Sequence, residues 1–319
     1  MLSWLKENKS ILLNRHFVAL LLTLTLILVP GYKYSKFQNW SNKNNPERIF
    51  RSDGSGYYAY LPQLFIYQDK NFEFSDSLTN SISDSKTGQF MSYYGTPPKI
   101  INKYFIGTAV LQFPFFAVAH ILCPDHYSAN GYSYPYQLLI AFAALFYLIL
   151  GCLAGYYLLV IRGLPPWASA FGIISIAIAT PLLHYTIIES AFSHVYSFAI
   201  LSFWLLAVHF WVSTQKRTFL FVTAFLFGLL LLIRPTNAIA LLAFFLFFPS
   251  LKTAGTFLKS HLFLRIKALF GSLLLVALPL SLQVLNVYHQ TGEIAFNLYQ
   301  DEGFSNWASP HFWDILFSY

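Results

Sequence analysis

Two charged side chains, Arg51 and Asp53, follow the first apolar stretch of the chain and open its first long polar segment. They stand in the sequence RSDGSGYYAYL, which leads into a predicted amphipathic helix over Gly56–Gln68 that lies in a membrane interface. Asp53 falls at the N-terminal end of this helix. A carboxylate there can cap the helix by accepting a backbone N–H, and it can also act as a general base. We therefore predict Asp53 to be the reacting carboxylate of a site, with Arg51 as a neighbouring ligand-binding cation.

Two further cations are candidates for binding an anion. Lys103 precedes the apolar stretch Tyr104–Leu122, and a lysine ammonium is a good point-charge partner for phosphate. Interfacial anchoring explains Lys103 equally well. Arg234 lies between two short apolar stretches, where a cation is costly unless a cavity or an anion receives it. Arg234 is thus the stronger candidate, with simple snorkelling to the surface as the alternative.

A carboxylate and an imidazole, Glu189 and His194, stand five residues apart between two apolar stretches. This spacing suits contacts with a polar ligand, and interface-facing polar side chains would give the same pattern. Two potential ligands are too few to predict a metal site, so a divalent metal stays undecided. The sequence contains no Walker loop, G-x-G-x-x-G, H-E-x-x-H or G-x-S-x-G motif. Their absence argues against nucleotide-driven pumps, dehydrogenases, zinc proteases and α/β-hydrolases.

The composition is that of a membrane protein. Hydrophobic residues make up 56% of the chain and charged residues only 10%, whereas soluble domains average roughly 25% charged residues. The net charge of +7 is scattered through short loops, without a basic run that aromatic residues interrupt. We interpret this charge as membrane topology and contact with anionic lipid, and expect no nucleic-acid partner. Both cysteines, Cys123 and Cys152, lie in apolar runs, so a disulfide framework is not expected.

Eight apolar stretches are candidates for membrane crossing, although several are shorter than the roughly 20 residues that a crossing requires. The positive-inside rule decides between the arrangements. If Tyr104–Leu122 does not cross, nearly all basic residues of the short loops fall on the inner side, and if it crosses, most of them move outside. We therefore predict seven crossings: Phe17–Tyr32, Tyr136–Ile161, Trp167–Tyr185, Ala191–Val212, Thr218–Ile233, Thr236–Phe248 and Ala268–Tyr288.

These crossings predict an all-α polytopic membrane protein that forms a single membrane domain over residues 1–319. The N-terminus lies inside, and Phe17–Tyr32 is a retained anchor, because no small-residue cleavage site follows it. The large first outer loop, 33–135, carries the two interfacial helices. The outer segment 289–319 stops abruptly, so we expect a C-terminally truncated chain.

The stretches on either side of Arg234 are short for crossings. At about 1.5 Å per residue they cover roughly 20–24 Å, less than the ~30 Å hydrocarbon core. Two short crossings nevertheless keep both flanking basic loops on the inner side. Arg234 is then predicted to be recessed below the outer surface.

With these residues in hand, the chain resembles the membrane-embedded glycosyltransferases of the C-type fold that use polyprenyl-phosphate sugars. These include the protein O-mannosyltransferases and the lipid A aminoarabinose transferase. The resemblance is carried by Asp53 followed by a tyrosine pair, by KYFIG from Lys103, by Ser193-His194 and by RPTN from Arg234. It also includes the seven-span core with its oversized first outer loop, and so extends over essentially the whole chain.

The resemblance implies transfer of a sugar from a polyprenyl-phosphate carrier to a glycan, lipid or protein acceptor. Asp53 would deprotonate or orient the acceptor hydroxyl, and Lys103 and Arg234 would hold the lipid phosphate. The implied location is a bacterial inner membrane, with the site facing the periplasm. Many relatives carry two adjacent acids where this chain has Asp53-Gly54, so Glu189 is the candidate second carboxylate.

Two other classes remain open. A lipid-linked saccharide flippase or another transporter would use Arg234 to recognise a moving anion. A non-catalytic membrane subunit is the third possibility. A transporter should place ionisable groups inside several crossings, whereas the predicted topology places most of them at outer ends. This placement favours an enzyme whose site faces the outer surface.

Overall fold

The computed structural model describes residues 49–50, 52–72, 74, 91–95, 99–296 and 298–299. Within this part the chain is mostly helical, and three helices are long and apolar enough to cross a membrane. The protein therefore has the character of an integral membrane protein. The predicted first crossing, the residue Arg51 and most of the outer segment 289–319 lie outside the described residues.

The chain order of the described helices and strands is simple. α1 is continued by a π-helical turn, 310 segments flank the short α8, and a second π-helical turn follows α9. The bounds are α1 Ser52–Pro62, β1 Met91–Tyr94, β2 Lys99–Asn102, α2 Gly107–Ile121, α3 Tyr134–Ile161, α4 Pro166–Ala179, α5 Leu182–Ile187, α6 Ser193–Thr214, α7 Arg217–Ile233, α8 Leu241–Phe244, α9 Leu251–Leu258 and α10 Ile266–Thr291.

The candidate crossings are α3, α6 and α10, and a fourth is possible if the bent pair Pro235–Phe247 and Leu251–Phe263 counts as one span. The helices α2, α4 and α7 are apolar but shorter. Length and composition thus support three or four crossings. The remaining predicted crossings depend on how the short helices lie against the long ones.

The hairpin of β1 and β2 is a departure from the all-α prediction. The two strands pair antiparallel, with Met91 opposite Asn102 and Tyr94 opposite Lys99. Gly95 follows β1 with a φ of 79°, a left-handed conformation that glycine adopts readily. The pairing of β1 with β2 satisfies backbone N–H and C=O groups in residues that belong to no predicted helix.

α7 is the centre of the helix packing. It runs antiparallel to α6 and parallel to α10, with Phe221 beside Gly271 and Gly228 beside Val276. A Cβ on Gly228 would lie 2.5 Å from the carbonyl oxygen of Val276. Only a glycine at this position allows the two backbones to approach so closely, as small residues do between membrane helices.

The segment after α7 reaches from one end of α6 to the other. Asn237 donates to the Ser197 hydroxyl near the start of α6, at 3.1 Å, and Phe244 packs on Trp211 near its end. Much of this segment, Pro235–Phe247, is 310 helix, which rises about 2.0 Å per residue instead of about 1.5 Å. The sequence analysis assumed an α-helical rise of about 1.5 Å per residue, and this value underestimates the length of the segment Pro235–Phe247.

The helices α1 and α2 pack near the C-terminal end of α7. We call this region the Arg234 end of the bundle. A Cβ on Gly107, the first residue of α2, would lie 2.4 Å from the Leu232 backbone. From there α2 follows the N-terminal half of α3, where Tyr147 donates to the Leu111 carbonyl at 3.1 Å. α2 thus extends beyond the layer shared by α6 and α7.

Helix α1 is more deeply enclosed than its sequence predicts. Every residue from Gly54 to Pro62 is buried. This part of the helix therefore has no exposed polar face opposite a buried apolar one, as the predicted amphipathic helix would have. Apolar exposure begins only in the following π-helical turn, at Leu64 and Phe65. The reason is that α2 covers one side of α1, and the loops around Phe50 and Tyr132 cover another.

The close approach of α7 and α10 can be tested by adding one methyl group. Gly228→Ala should lower the free energy of unfolding by about 1–3 kcal/mol, because the added Cβ forces the two backbones apart. The matched control is Gly255→Ala, which has open space around it and should be neutral or slightly stabilising. Thermal melting of the purified protein in detergent measures both. Equal melting of Gly228→Ala and wild type would contradict the close packing.

Candidate functional site

The Arg234 end of the bundle brings a guanidinium and an imidazole together. Arg234 follows the last residue of α7, and His194 lies in the first turn of α6. One guanidinium nitrogen of Arg234 lies 3.4 Å from Nδ1 and 3.3 Å from Nε2 of His194. Since arginine only donates, the ring nitrogen that receives this N–H is unprotonated. The other side of the His194 ring stacks on Tyr185, with centroids 3.9 Å apart.

Asp53 lies in the first turn of α1 and is half-buried. The Tyr104 hydroxyl donates to its Oδ1 at 2.7 Å. Burial raises the pKa of Tyr104 well above its usual value, and the hydrogen bond to Asp53 raises it further. The phenol therefore remains a neutral donor that fixes the orientation of the carboxylate. Among the described residues, only this one oxygen of Asp53 has a hydrogen-bond partner.

Asp53 lies close to the start of α6, because a Cβ on the next residue, Gly54, would lie 3.0 Å from the Phe192 ring. Burial raises the pKa of Tyr57, a hydrogen bond with the Ser193 side chain and the charge of Arg234 lower it, and the charge of Asp53 raises it. The pKa of Tyr299 is raised mainly by burial, again with Asp53 raising it and Arg234 lowering it. The Asp53 carboxylate and the Arg234 guanidinium therefore lie near the same two tyrosines, Tyr57 and Tyr299.

Lys103 belongs to the same tyrosine wall. Its Nζ lies 5.8 Å from the ring centroid of Tyr104 and 5.7 Å from that of Tyr299. These distances are typical of cation–π contact, which holds an ammonium without neutralising it. Lys103 and Asp53 are therefore joined through one side chain, Tyr104.

A buried asparagine positions Tyr104. The Asn102 side chain donates to the Gly56 carbonyl at 2.8 Å and accepts from the Tyr104 backbone N–H at 3.1 Å. Its own backbone N–H donates to the Gln290 side chain of α10 at 2.8 Å. The Tyr60 hydroxyl donates to the carbonyls of Asn102 and Tyr104. α1, β2 and α10 are thus connected by one hydrogen-bond network.

The structure gives the six residues predicted for the site different positions. Asp53, Lys103, His194 and Arg234 gather at the Arg234 end, whereas Arg51 lies outside the described residues. Glu189 has a partner of its own: its Oε2 lies 3.3 Å from Nε2 of His184, an exposed side chain. As a second carboxylate for the site, Glu189 stays a prediction.

Four residues of the site were not identified from the sequence. They are Tyr57, Asn102, Tyr104 and Ser193. Tyr104 directly follows Lys103, and Ser193 directly precedes His194, so their positions beside predicted residues were the available signal. Tyr57 and Tyr104 could not be distinguished from the other tyrosines by sequence, because the chain contains 21 tyrosines.

The described residues include no group of three or more His, Cys, Asp or Glu side chains that could share a metal ion. Comparison with known proteins found no matching family model, curated protein or solved structure. The function is therefore inferred from the chemistry of the Arg234 end itself.

The Tyr104–Asp53 contact predicts a pH dependence. Below about pH 10 the phenol is protonated in both the folded and the unfolded chain. As the pH rises further, the unfolded chain ionises first because the folded pKa is raised, so the stability that Tyr104 contributes is lost. Tyr104→Phe should remove this contribution and flatten the loss of melting temperature above about pH 10. Parallel melting curves for wild type and Tyr104→Phe would contradict the assignment.

Proposed function

We propose that this chain is a membrane glycosyltransferase that moves a sugar from a polyprenyl-phosphate carrier to an acceptor hydroxyl on the outer face. The observation that carries the proposal is the gathering of a half-buried carboxylate, Asp53, and a guanidinium, Arg234, at the start of α6: Gly54 packs on the Phe192 ring, and Arg234 lies 3.3 Å from His194. Sugar transfer from a lipid phosphate needs a base on one side and a phosphate-binding cation on the other.

The reaction is a substitution at the anomeric carbon of the sugar. The acceptor oxygen forms a bond to that carbon while the bond from the carbon to the phosphate oxygen breaks. The acceptor proton passes to Asp53 and then to water, and the bonding pair leaves with the polyprenyl phosphate. A positioned carboxylate base contributes roughly 10²–10⁴-fold to such a step.

The cations act on the leaving group. Negative charge grows on the phosphate as the bond to the sugar breaks, and preorganised donors in a dry site stabilise it strongly. Arg234 supplies a guanidinium suited to phosphate oxygens, and Lys103 supplies an ammonium held over tyrosine rings. Tyr104 keeps Asp53 oriented throughout.

We extend the proposal to the topology of seven crossings, with the Arg234 end on the outer, periplasmic side of a bacterial inner membrane. Two features support it. The segment Pro235–Phe247 runs the length of α6 in extended 310 form, and α2 packs beyond the ends of α6 and α7. The basic residues near the start of α7 and around α9 then share the inner side, as the positive-inside rule requires.

A transporter of lipid-linked saccharides is the second candidate. The observation that favours it is the sharp break of 103° between Pro235–Phe247 and Leu251–Phe263, since discontinuous helices are common at transport sites. A transporter does not require a base next to the phosphate-binding cation. Dependence of turnover on Asp53 therefore separates the two functions.

Asp53→Asn should abolish sugar transfer, because the amide keeps the shape and the Tyr104 contact but takes up no proton. The measurement is incorporation of label from radiolabelled polyprenyl-phosphate sugars into membrane acceptors. The matched control is Asp69→Asn, whose carboxylate accepts from the backbone amides of Asn71 and Phe74 and lies in the loop after α1. Retained transfer by Asp53→Asn would remove this residue from catalysis, and retained lipid flipping without transfer would favour the transporter.

The proposed topology predicts opposite labelling of two exposed positions. In a chain whose own cysteines are replaced by alanine, Asp125→Cys should react with a membrane-impermeant maleimide in intact cells. Lys216→Cys should react only after permeabilisation, because it lies at the other end of α7. Labelling of both positions from the same side would overturn the assignment of faces.

A further inference from the structure

We propose that α9 and the π-helical turn after it bind the headgroups of anionic phospholipids through Lys252 and Lys259. They lie at the end of the bundle opposite Arg234, where α3 and α6 end and α7 and α10 begin, and we call this region the basic end. The inference goes beyond the proposed function, because it concerns another face of the protein and holds whether or not a sugar is transferred. The partner is the anionic lipid leaflet that borders this end.

The charges of the basic end are all positive in the described part of the chain. The stretches 155–181, 205–229 and 241–279, which meet at this end, contain no aspartate or glutamate. The cations of these stretches are all exposed, and they are Arg162, Lys216, Arg217, Lys252, Lys259, Arg265 and Lys267. A surface of one sign, without acids of its own to neutralise it, attracts an anionic partner.

α9 lies across the basic end instead of continuing the segment before it. The axes of Pro235–Phe247 and Leu251–Phe263 differ by 103°. The first of these segments runs along α6, which is long and apolar enough to cross a membrane, so the second lies close to the membrane plane. Ser250 and Thr253 form a capping box that starts α9 directly after the bend.

One side of α9 is attached to the bundle. Ala254 is fully buried, and the ring centroid of Phe257 lies 5.2 Å from that of Trp211 on α6. In the π-helical turn, the His261 ring stacks on Phe257 with centroids 4.4 Å apart, and its Nε2 lies 3.0 Å from the side-chain oxygen of Gln215. These contacts fix which side of α9 faces away from the protein.

The side that faces away carries the two lysines. Lys252, Thr256 and Lys259 are spaced by four and three residues, so they share one face of the helix, and all three are exposed. Arg162 is different, because its guanidinium lies over the ring of Phe247, 5.1 Å from the centroid, and so contributes to packing within the protein. The described residues of the basic end offer the two lysines no carboxylate, so an external anion is the partner that their charge favours.

Exposed apolar side chains on both sides of the lysines favour a lipid surface over a water-soluble acidic partner. Leu251 begins α9 and is 71% exposed. Phe263, Leu264 and Ile266 follow at the other end, with 58%, 71% and 59% of their surface exposed. Lysines next to exposed leucine, isoleucine and phenylalanine are typical of helices that lie in a membrane interface. A nucleic acid or an acidic protein would leave these apolar side chains in water.

The lipid composition next to α9 tests the proposal. In a full chain whose own cysteines are replaced by alanine, Thr256→Cys carries a fluorophore on the lysine face, and the protein is placed in phosphatidylcholine nanodiscs. A small fraction of spin-labelled lipid, with either a phosphatidylglycerol or a phosphatidylcholine headgroup, quenches the fluorophore. We expect a preference for phosphatidylglycerol of about tenfold or more, because each lysine near an anionic lipid surface contributes roughly fivefold. High salt should reduce this preference.

Lys252→Gln and Lys259→Gln should each lower the preference roughly fivefold, and the double variant should nearly abolish it. The matched control is Lys70→Gln, an exposed lysine in the loop after α1, which should leave the preference unchanged. All variants should melt like the parent protein, since these lysines are exposed. Equal quenching by the two lipids in the parent protein would overturn the proposal. A preference that the double variant retains would show that other cations bind the lipid, and would overturn the assignment to α9.

Discussion

The cost of placing a cation at the edge of an apolar layer governs this structure. Arg234 cannot remain unpaired there, and Pro235, with no N–H, ends the helix immediately after it. Asn237 then turns back and donates to the Leu230 carbonyl at 2.9 Å and to the Ser197 hydroxyl at 3.1 Å. The four residues from Arg234 to Asn237 thus end α7, start the 310 segment and connect it to α6. The same residues place the guanidinium near Tyr57 and Tyr299.

α10 packs along α7 and holds the segment that carries Lys103 and Tyr104. At about 1.5 Å per residue its 26 residues reach roughly 39 Å, more than the ~30 Å of a hydrocarbon core. The additional turns carry Gln283, Asn286 and Gln290 on one face, and all three are buried. Gln283 accepts from the Ile106 N–H and Gln290 from the Asn102 N–H. The C-terminal turns of α10, which extend beyond the length of a hydrocarbon core, therefore fix the segment with Lys103 and Tyr104 through these two hydrogen bonds.

The phenol of Tyr104 gives a physical role to an otherwise isolated carboxylate. A lone Asp53 at a membrane surface would rotate freely between water and protein. Here one oxygen is fixed by a neutral hydroxyl, which Asn102 and Tyr60 hold in turn through the Tyr104 backbone. The orientation of this carboxylate then comes from Tyr104 and Asn102, while Glu189 pairs with His184.

The sequence by itself determined the properties that depend on local composition: the membrane character, the helix start at Asp53 and the helix end at Arg234. It did so because burial in lipid and helix termination depend on side-chain type and on neighbours within a few positions. Only the tertiary structure decided that Tyr104 bonds Asp53 across 51 positions and that Arg234 meets His194 across 40. It alone revealed the hairpin, the 310 segment after α7 and the Glu189–His184 pair. These features depend on which helix faces pack together, and that choice is made by close approaches such as Gly107 on Leu232 and Gly228 on Val276, which no local pattern encodes.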